Sequence, residues 1–211
     1  MQFNKDHLLL YAVTDRAWTG KQTLEQQVED ALIGGVTCVQ LREKQLNEDD
    51  FIAEAIRMKK LCHQYGVPLI INDNIRVARE SGADGIHVGQ EDCSAREIRK
   101  IVGSDFIIGT TAKTVEQAQE AEAEGADYLG VGAVFPSPTK TNAVRITGEQ
   151  LKTICASVSI PAVAIGGISL ENMTEITGCG MSGIAVVSAV FAAEDIKTAS
   201  AELKRKVRTI L

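Results

Sequence analysis

The chain has no apolar run of membrane-spanning length. Its longest early one, LLLYAV, is short, lacks the flanks of a signal peptide and is soon followed by Asp15 and Arg16. It has no basic excess either: the formal net charge is −6, which leaves no general electrostatic footprint for nucleic acid or an anionic membrane. If the ligand is anionic, its basic contacts must therefore be local. Cysteine is scattered: Cys38, Cys62, Cys93, Cys155 and Cys179 are odd in number and include no C-x-x-C pair. That spacing fits neither a disulfide framework nor a thiolate metal site, and the expectation is reduced thiols in a cytoplasmic protein. The histidines, His7, His63 and His87, stand apart without triad spacing and read as structural or surface residues. No Pro/Ser-rich linker or low-complexity tract divides the 211 residues, enough chain for one large α/β domain.

What is present is alternation. Eight runs read as buried strands: LLLYAVTD, CVQLRE, PLIIND, GIHVGQ, FIIGTT, YLGVGAVF, PAVAIGG and GIAVVSAV. Helix punctuation lies between them. Thr23 with Gln26, Ser94 with Glu97, Thr114 with Gln117 and Thr147 with Gln150 each fit a capping box, in which two orphan amides are satisfied reciprocally. Leu24, Val28, Ala31 and Leu32 share one helical face, and Gly35, Gly66, Gly82, Gly103, Gly125 and Gly180 stand where helices should stop. SGADGIHVG, EGADYLGVG and CGMSGIAVV echo one another as the same helix-to-strand turn. Eight βα units predict one (β/α)₈ TIM barrel over residues 1–211, at the short end of the usual size range, with an open doubly wound sheet as the alternative. In either fold, ligands sit at the C-terminal strand ends.

Those ends carry the candidate chemistry. Asp73 and Asp92 close the third and fourth strands. Each could merely cap a helix, but on neighbouring barrel strands they converge, and two close carboxylates need a proton or cation between them. With no His/Cys cluster beside them, oxygen ligation favours Mg²⁺ over Zn²⁺. QLREK (Gln40–Lys44) closes strand two. It is either a solvated charged loop or a phosphate clamp of Arg42 and Lys44, with Gln40 and Asn72 as amide contacts. In FPSPTKTNA, after strand six, Ser137, Thr139 and Thr141 offer hydroxyls around Lys140, and Pro136 and Pro138 stiffen the loop. In AIGGI and VVSAV, after strands seven and eight, Gly166, Gly167 and Ser188 suit an amide-built phosphate site, with tight packing as the plainer explanation of the glycines. Trp18, in the loop after strand one, is either a ligand cover or a surface aromatic.

In this order on a barrel frame, QLREK, IND, GQED, PTKT, AIGGI and VVSAV resemble the thiamine-phosphate synthases over nearly the whole chain. The resemblance implies a transferase of thiamine biosynthesis that joins two phosphorylated small molecules with Mg²⁺ as cofactor. An aminopyrimidine methyl diphosphate would be held by Gln40, Leu41, Arg42, Glu43, Lys44, Asn72, Thr111 and Lys140. A thiazole phosphate, its carboxylated form included, would be held by Ser137, Pro138, Thr139, Gly167, Val187 and Ser188. It assigns the metal to Asp73 and Asp92, and the catalytic contribution to Arg42, Lys44, Lys140 and Thr111. The chain departs from the family pattern after strand five: TTAKT puts Thr111 where serine is usual and Lys113 where histidine is usual. Ser137 stands where threonine is common.

Three other readings use parts of the same site. A thiazole tautomerase-like isomerase would have no use for the metal acids and the QLREK clamp together. A Schiff-base enzyme would use Lys44 or Lys140, and a non-catalytic sensor would bind both ligands without product. The expected partners are small phosphorylated substrates, not nucleic acid or membrane, with homo-oligomerisation left open.

Overall fold

Each apolar run becomes one strand of a single closed parallel sheet. In the computed structural model, which describes residues 3–20, 22–137 and 144–211, the strands are β1 (Leu10–Val13), β2 (Cys38–Leu41), β3 (Leu69–Asn72), β4 (Gly85–Val88), β5 (Ile107–Ala112), β6 (Tyr128–Gly132), β7 (Ala162–Ile165) and β8 (Gly183–Val186). They pair in sequence order, and β8 closes onto β1 with Leu10 opposite Ile184. The open-sheet alternative is excluded.

Around the barrel lie α1 (Leu24–Ile33), α2 (Glu48–Gln64), α3 (Ile75–Glu80), α4 (Ala95–Val102), α5 (Val115–Ala123), α6 (Gly148–Ala156), α7 (Ser188–Phe191) and α8 (Ile196–Val207). The crossover from β7 to β8 holds only a 3-10 turn, Met173–Ile176, where a full helix was expected. Gly178 and Gly180, both at positive φ, end that short connection. Capping boxes form at Thr23, Ser94 and Thr147. At Thr114 only half the box forms, because Gln117 turns its side-chain oxygen to the Lys113 N–H at 2.8 Å. That contact pins the backbone of a residue at the barrel mouth.

The strands are buried on both faces, as parallel strands must be. Alternation sends Leu10, Ala12, Val39 and Leu41 outward against the helices, and Tyr11, Val13, Cys38, Ile70 and Tyr128 into the lumen. A 3-10 turn at Lys5–Leu8 inserts Leu8 into this inner cluster, and Phe3 packs on Tyr128 with ring centroids 5.8 Å apart. The lumen is thus closed at the N-terminal end of the strands, leaving the opposite mouth for a ligand. Among the described residues no helix is long and apolar enough to cross a membrane.

Candidate active site

A cavity of about 180 Å³ opens at the C-terminal strand ends. Every strand from β1 to β8 reaches it with a residue or with the loop that follows. Its polar lining is Gln40, Arg42, Asn72, His87, Thr111, Lys113, Ser137 and Ser188, with Tyr11 at its floor. Gly166, Gly167 and Val187 complete the wall on the β7–β8 side. Half of the sequence-derived site residues therefore line this one cavity.

The acids and their neighbours are engaged with one another. Asp73 directly follows β3 and continues its ladder, donating its N–H to the His87 carbonyl of β4 at 2.9 Å. Its φ of 61° makes it the one non-glycine in the left-handed region among the described residues. An aspartate tolerates that conformation better than most residues, and strain of this kind gathers at functional positions. Its Oδ2 accepts from Lys44 Nζ at 2.9 Å. Asp92, in the loop after β4, accepts the Gly89 N–H at 2.7 Å through Oδ2. Both carboxylates stand beyond the same ends of adjacent strands. No cluster of three or more His, Cys, Asp or Glu side chains suited to a metal occurs among the described residues. Two carboxylates with oxygen-only donors still fit Mg²⁺, which normally keeps several waters and takes substrate phosphate oxygens as further ligands.

The QLREK segment divides by strand alternation. Gln40 and Arg42 face the cavity. The Leu41 side chain is fully buried in the layer between barrel and helices, so only its backbone is available at the mouth. The Glu43 side chain is only 1% exposed and lies 2.7 Å from Arg16 Nε, turned away from the ligand space. Arg16 also forks onto both oxygens of Glu54 of α2 at 2.7 Å. Burial pushes the Glu43 carboxyl above its ordinary range, although Arg16 draws it partly back. Arg42 Nη1 sits 3.5 Å from Asp15, and its backbone N–H donates to the Thr14 hydroxyl at 3.0 Å. Trp18 packs on the core, and its carbonyl accepts from Gln27.

On the far side, Gly166 and Gly167 have φ of 104° and 62°. A Cβ on Gly167 would come within 2.1 Å of the Pro136 carbonyl oxygen, so close packing of the β6 and β7 loops itself demands glycine there. Val187 and Ser188 line the wall where α7 begins. Pro138, Thr139, Lys140 and Thr141 lie outside the described residues.

Three polar lining residues were not singled out as site residues by the sequence: Tyr11, His87 and Lys113. His87 takes the structural side of the structural-or-surface reading, since it is buried in β4 and hydrogen-bonds both Tyr128 and the cavity residue Thr111, and it lines the cavity as well. The available signal was a polar-tipped ring inside an apolar strand run, in LYAV, GIHVG and DYLGVG. Burial holds the Tyr11 and Tyr128 phenols well above their ordinary pKa, so both stay neutral.

The model of the family described as thiamine monophosphate synthase matches residues 10–190. The chain belongs to that family. It is 50% identical to the thiamine-phosphate synthase of Ruminiclostridium cellulolyticum over 194 residues, covering 92% of each chain. The synthase of Methanobrevibacter smithii is 44% identical, with 97% of this chain and 98% of the relative covered. Among solved structures, the thiamine phosphate pyrophosphorylase from Pyrococcus furiosus superposes with a TM-score of 0.90 at 38% identity, covering 98% of both chains. Family membership therefore spans the barrel and every loop that builds the mouth.

Proposed function

We propose that the protein condenses an aminopyrimidine methyl diphosphate with a thiazole phosphate to give thiamine phosphate and pyrophosphate. The observation that carries this reading is one cavity bordered by two chemically different regions. Arg42, Asn72 and the Lys44–Asp73 pair stand on the β2–β3 side, and glycine backbone with Ser188 stands on the β7–β8 side. Two phosphorylated substrates meeting head to head need that division.

In the proposed reaction the bond between the methylene carbon and the diphosphate oxygen breaks, and the departing pyrophosphate keeps the electron pair. The thiazole nitrogen then donates its lone pair to that carbon and becomes the quaternary nitrogen of the product. No proton changes hands, which accounts for the lack of a catalytic His–Asp pair among the described residues of the site. Catalysis lies in stabilising the leaving charge and holding the two rings in line. Asp73 and Asp92 would hold Mg²⁺, which when bound offsets charge on the diphosphate oxygens. Arg42 and Lys140 would bind the same oxygens, and Lys44 would join them once its carboxylate partner turns to the metal. Asn72 and Thr111 would orient the pyrimidine together with Gln40. Ser137 to Thr139, Gly167, Val187 and Ser188 would receive the thiazole phosphate. Lys113 is a further cavity cation, and we place it with the diphosphate group because it follows β5, between Asp92 and the loop that carries Lys140. The reaction is assigned to the cytoplasm.

The test mixes protein, both substrates and Mg²⁺ and looks for the coupled product by mass spectrometry. Asp73→Ala and Asp92→Ala should each abolish turnover while thiazole phosphate still binds. Turnover like wild type in either variant would remove the metal assignment, and a reducible imine trapped on Lys44 or Lys140 would replace the mechanism.

A further inference from the structure

The barrel interior holds a continuous hydrogen-bond chain that joins two cavity residues from different strands. Gln40 Nε2 of β2 donates to the Tyr11 hydroxyl of β1 at 2.8 Å. Tyr11 and Tyr128 of β6 share a bond of 2.8 Å. The Tyr128 hydroxyl lies 3.0 Å from His87 Nδ1, and His87 Nε2 lies 3.1 Å from the Thr111 hydroxyl of β5. The three middle residues are buried, and both ends line the cavity.

Valence gives this chain a direction. A phenol has one hydrogen and two lone pairs. Tyr11 already accepts from Gln40, so its own hydrogen goes either to Tyr128 or to the Cys38 thiol beside it on β2. A thiol is a weak acceptor, and a buried hydroxyl hydrogen left poorly paired is costly. Tyr11 therefore donates to Tyr128. Tyr128 must then donate to His87 Nδ1, which puts the imidazole hydrogen on Nε2 and aims it at Thr111. At one end Gln40 keeps its side-chain carbonyl as an acceptor. At the other, the Thr111 oxygen has accepted, and its own hydrogen is left for a ligand.

We propose that Tyr11, Tyr128 and His87 are positioning residues whose one-way chain makes Gln40 an acceptor and Thr111 a donor, and so selects an aminopyrimidine over its oxo counterpart. This rests on the reading that Gln40 and Thr111 hold the pyrimidine. The exocyclic amine donates to the Gln40 carbonyl, and a ring nitrogen accepts from Thr111. The oxo compound would set a carbonyl oxygen against the Gln40 oxygen, and mismatch of that kind at a polar site is strongly discriminating.

Two measurements test the chain. In the wild-type protein, long-range ¹⁵N–¹H spectra at neutral pH should show His87 as the neutral Nε2–H tautomer, and an Nδ1–H or doubly protonated ring would overturn the direction. Calorimetry with the free hydroxymethyl aminopyrimidine and its 4-oxo analogue should give at least a hundredfold preference for the amine. Tyr11→Phe and Tyr128→Phe should each cut that preference at least tenfold, raise KM for the pyrimidine diphosphate, and leave KM for the thiazole phosphate unchanged. If Tyr128→Phe fails to fold, Tyr11→Phe carries the test, because it frees Gln40 and removes the donor that fixes Tyr128. An undiminished preference, or equal weakening toward both analogues, would sink the positioning role. Wild-type protein that keeps the preference yet makes no thiamine phosphate would sink the proposed reaction and leave the chain standing.

Discussion

Asp73 concentrates several demands in one residue: a left-handed backbone, a ladder bond to β4, an ion pair with Lys44 and a proposed metal ligand. Asparagine keeps the tolerance of that backbone, whereas valine does not. Asp73→Val should therefore be about 1–2 kcal/mol less stable than Asp73→Asn in urea unfolding, with both losing the Lys44 pair and Mg²⁺-dependent turnover. Equal stabilities would remove the backbone argument. Lys113 presents a different case. It lines the cavity, and its backbone is pinned by Gln117. Loss of one charge-assisted contact corresponds to about 1.5 kcal/mol or more, so Lys113→Ala should raise KM for the pyrimidine diphosphate roughly tenfold and spare the thiazole phosphate. Strand-end acids and cations could be read from the sequence because charge interrupting an apolar run is conspicuous. His87 offered only the signal of a polar ring inside an apolar run, because its partners across the lumen leave no trace along the chain.

At the level of elements, the recurring GAD turn has a physical explanation. Asp84 Oδ2 accepts the N–H of Leu69 at the start of β3, and Asp127 Oδ2 accepts the N–H of Ile108 in β5. Each aspartate thus closes the ladder where one strand begins beside its neighbour, which is why the echo appeared in the sequence ahead of β4 and β6. Lumen filling was harder to foresee. The Tyr128 ring occupies space that Gly109 on β5 leaves open, and a Cβ there would lie 2.1 Å from the ring. Strand periodicity identifies which residues face inward but not which large side chain matches which gap opposite. Gly109→Ala should consequently cost about 1–3 kcal/mol by overpacking, and should also raise KM for the pyrimidine diphosphate by displacing Tyr128 from His87. Thermal unfolding and steady-state kinetics together check it. A destabilised variant with wild-type KM would separate lumen packing from ligand orientation.

Across the whole molecule, the closed barrel sets the strand-end acids and cations of β2–β4 on one side of the mouth and the glycine backbone of β7–β8 on the other, and strand order alone made that arrangement legible. The tie over the β1–β2 side was not legible, because Arg16, Glu43 and Glu54 come from three separate segments and look like ordinary surface charges in the sequence. Here one guanidinium lies within 2.7 Å of two carboxylates, joining the loop after β1 to the loop after β2 and to α2. Two negative charges facing one positive charge leave Glu43 with a raised carboxyl pKa, chiefly through burial. The folded chain then holds a proton on Glu43 at pH values where the unfolded chain has released it. That contribution is complete below the unfolded carboxylate value of about 4.3 and is lost as pH rises through the folded one. Glu43→Gln, which cannot ionise, should gain stability relative to wild type over the same interval. The gap in unfolding temperature between variant and wild type should widen in favour of the variant as pH rises from about 4 and level off above the folded pKa. Calorimetric scans at constant ionic strength give the profile directly, and a gap that stays flat or narrows with rising pH would show that Arg16 outweighs burial at Glu43.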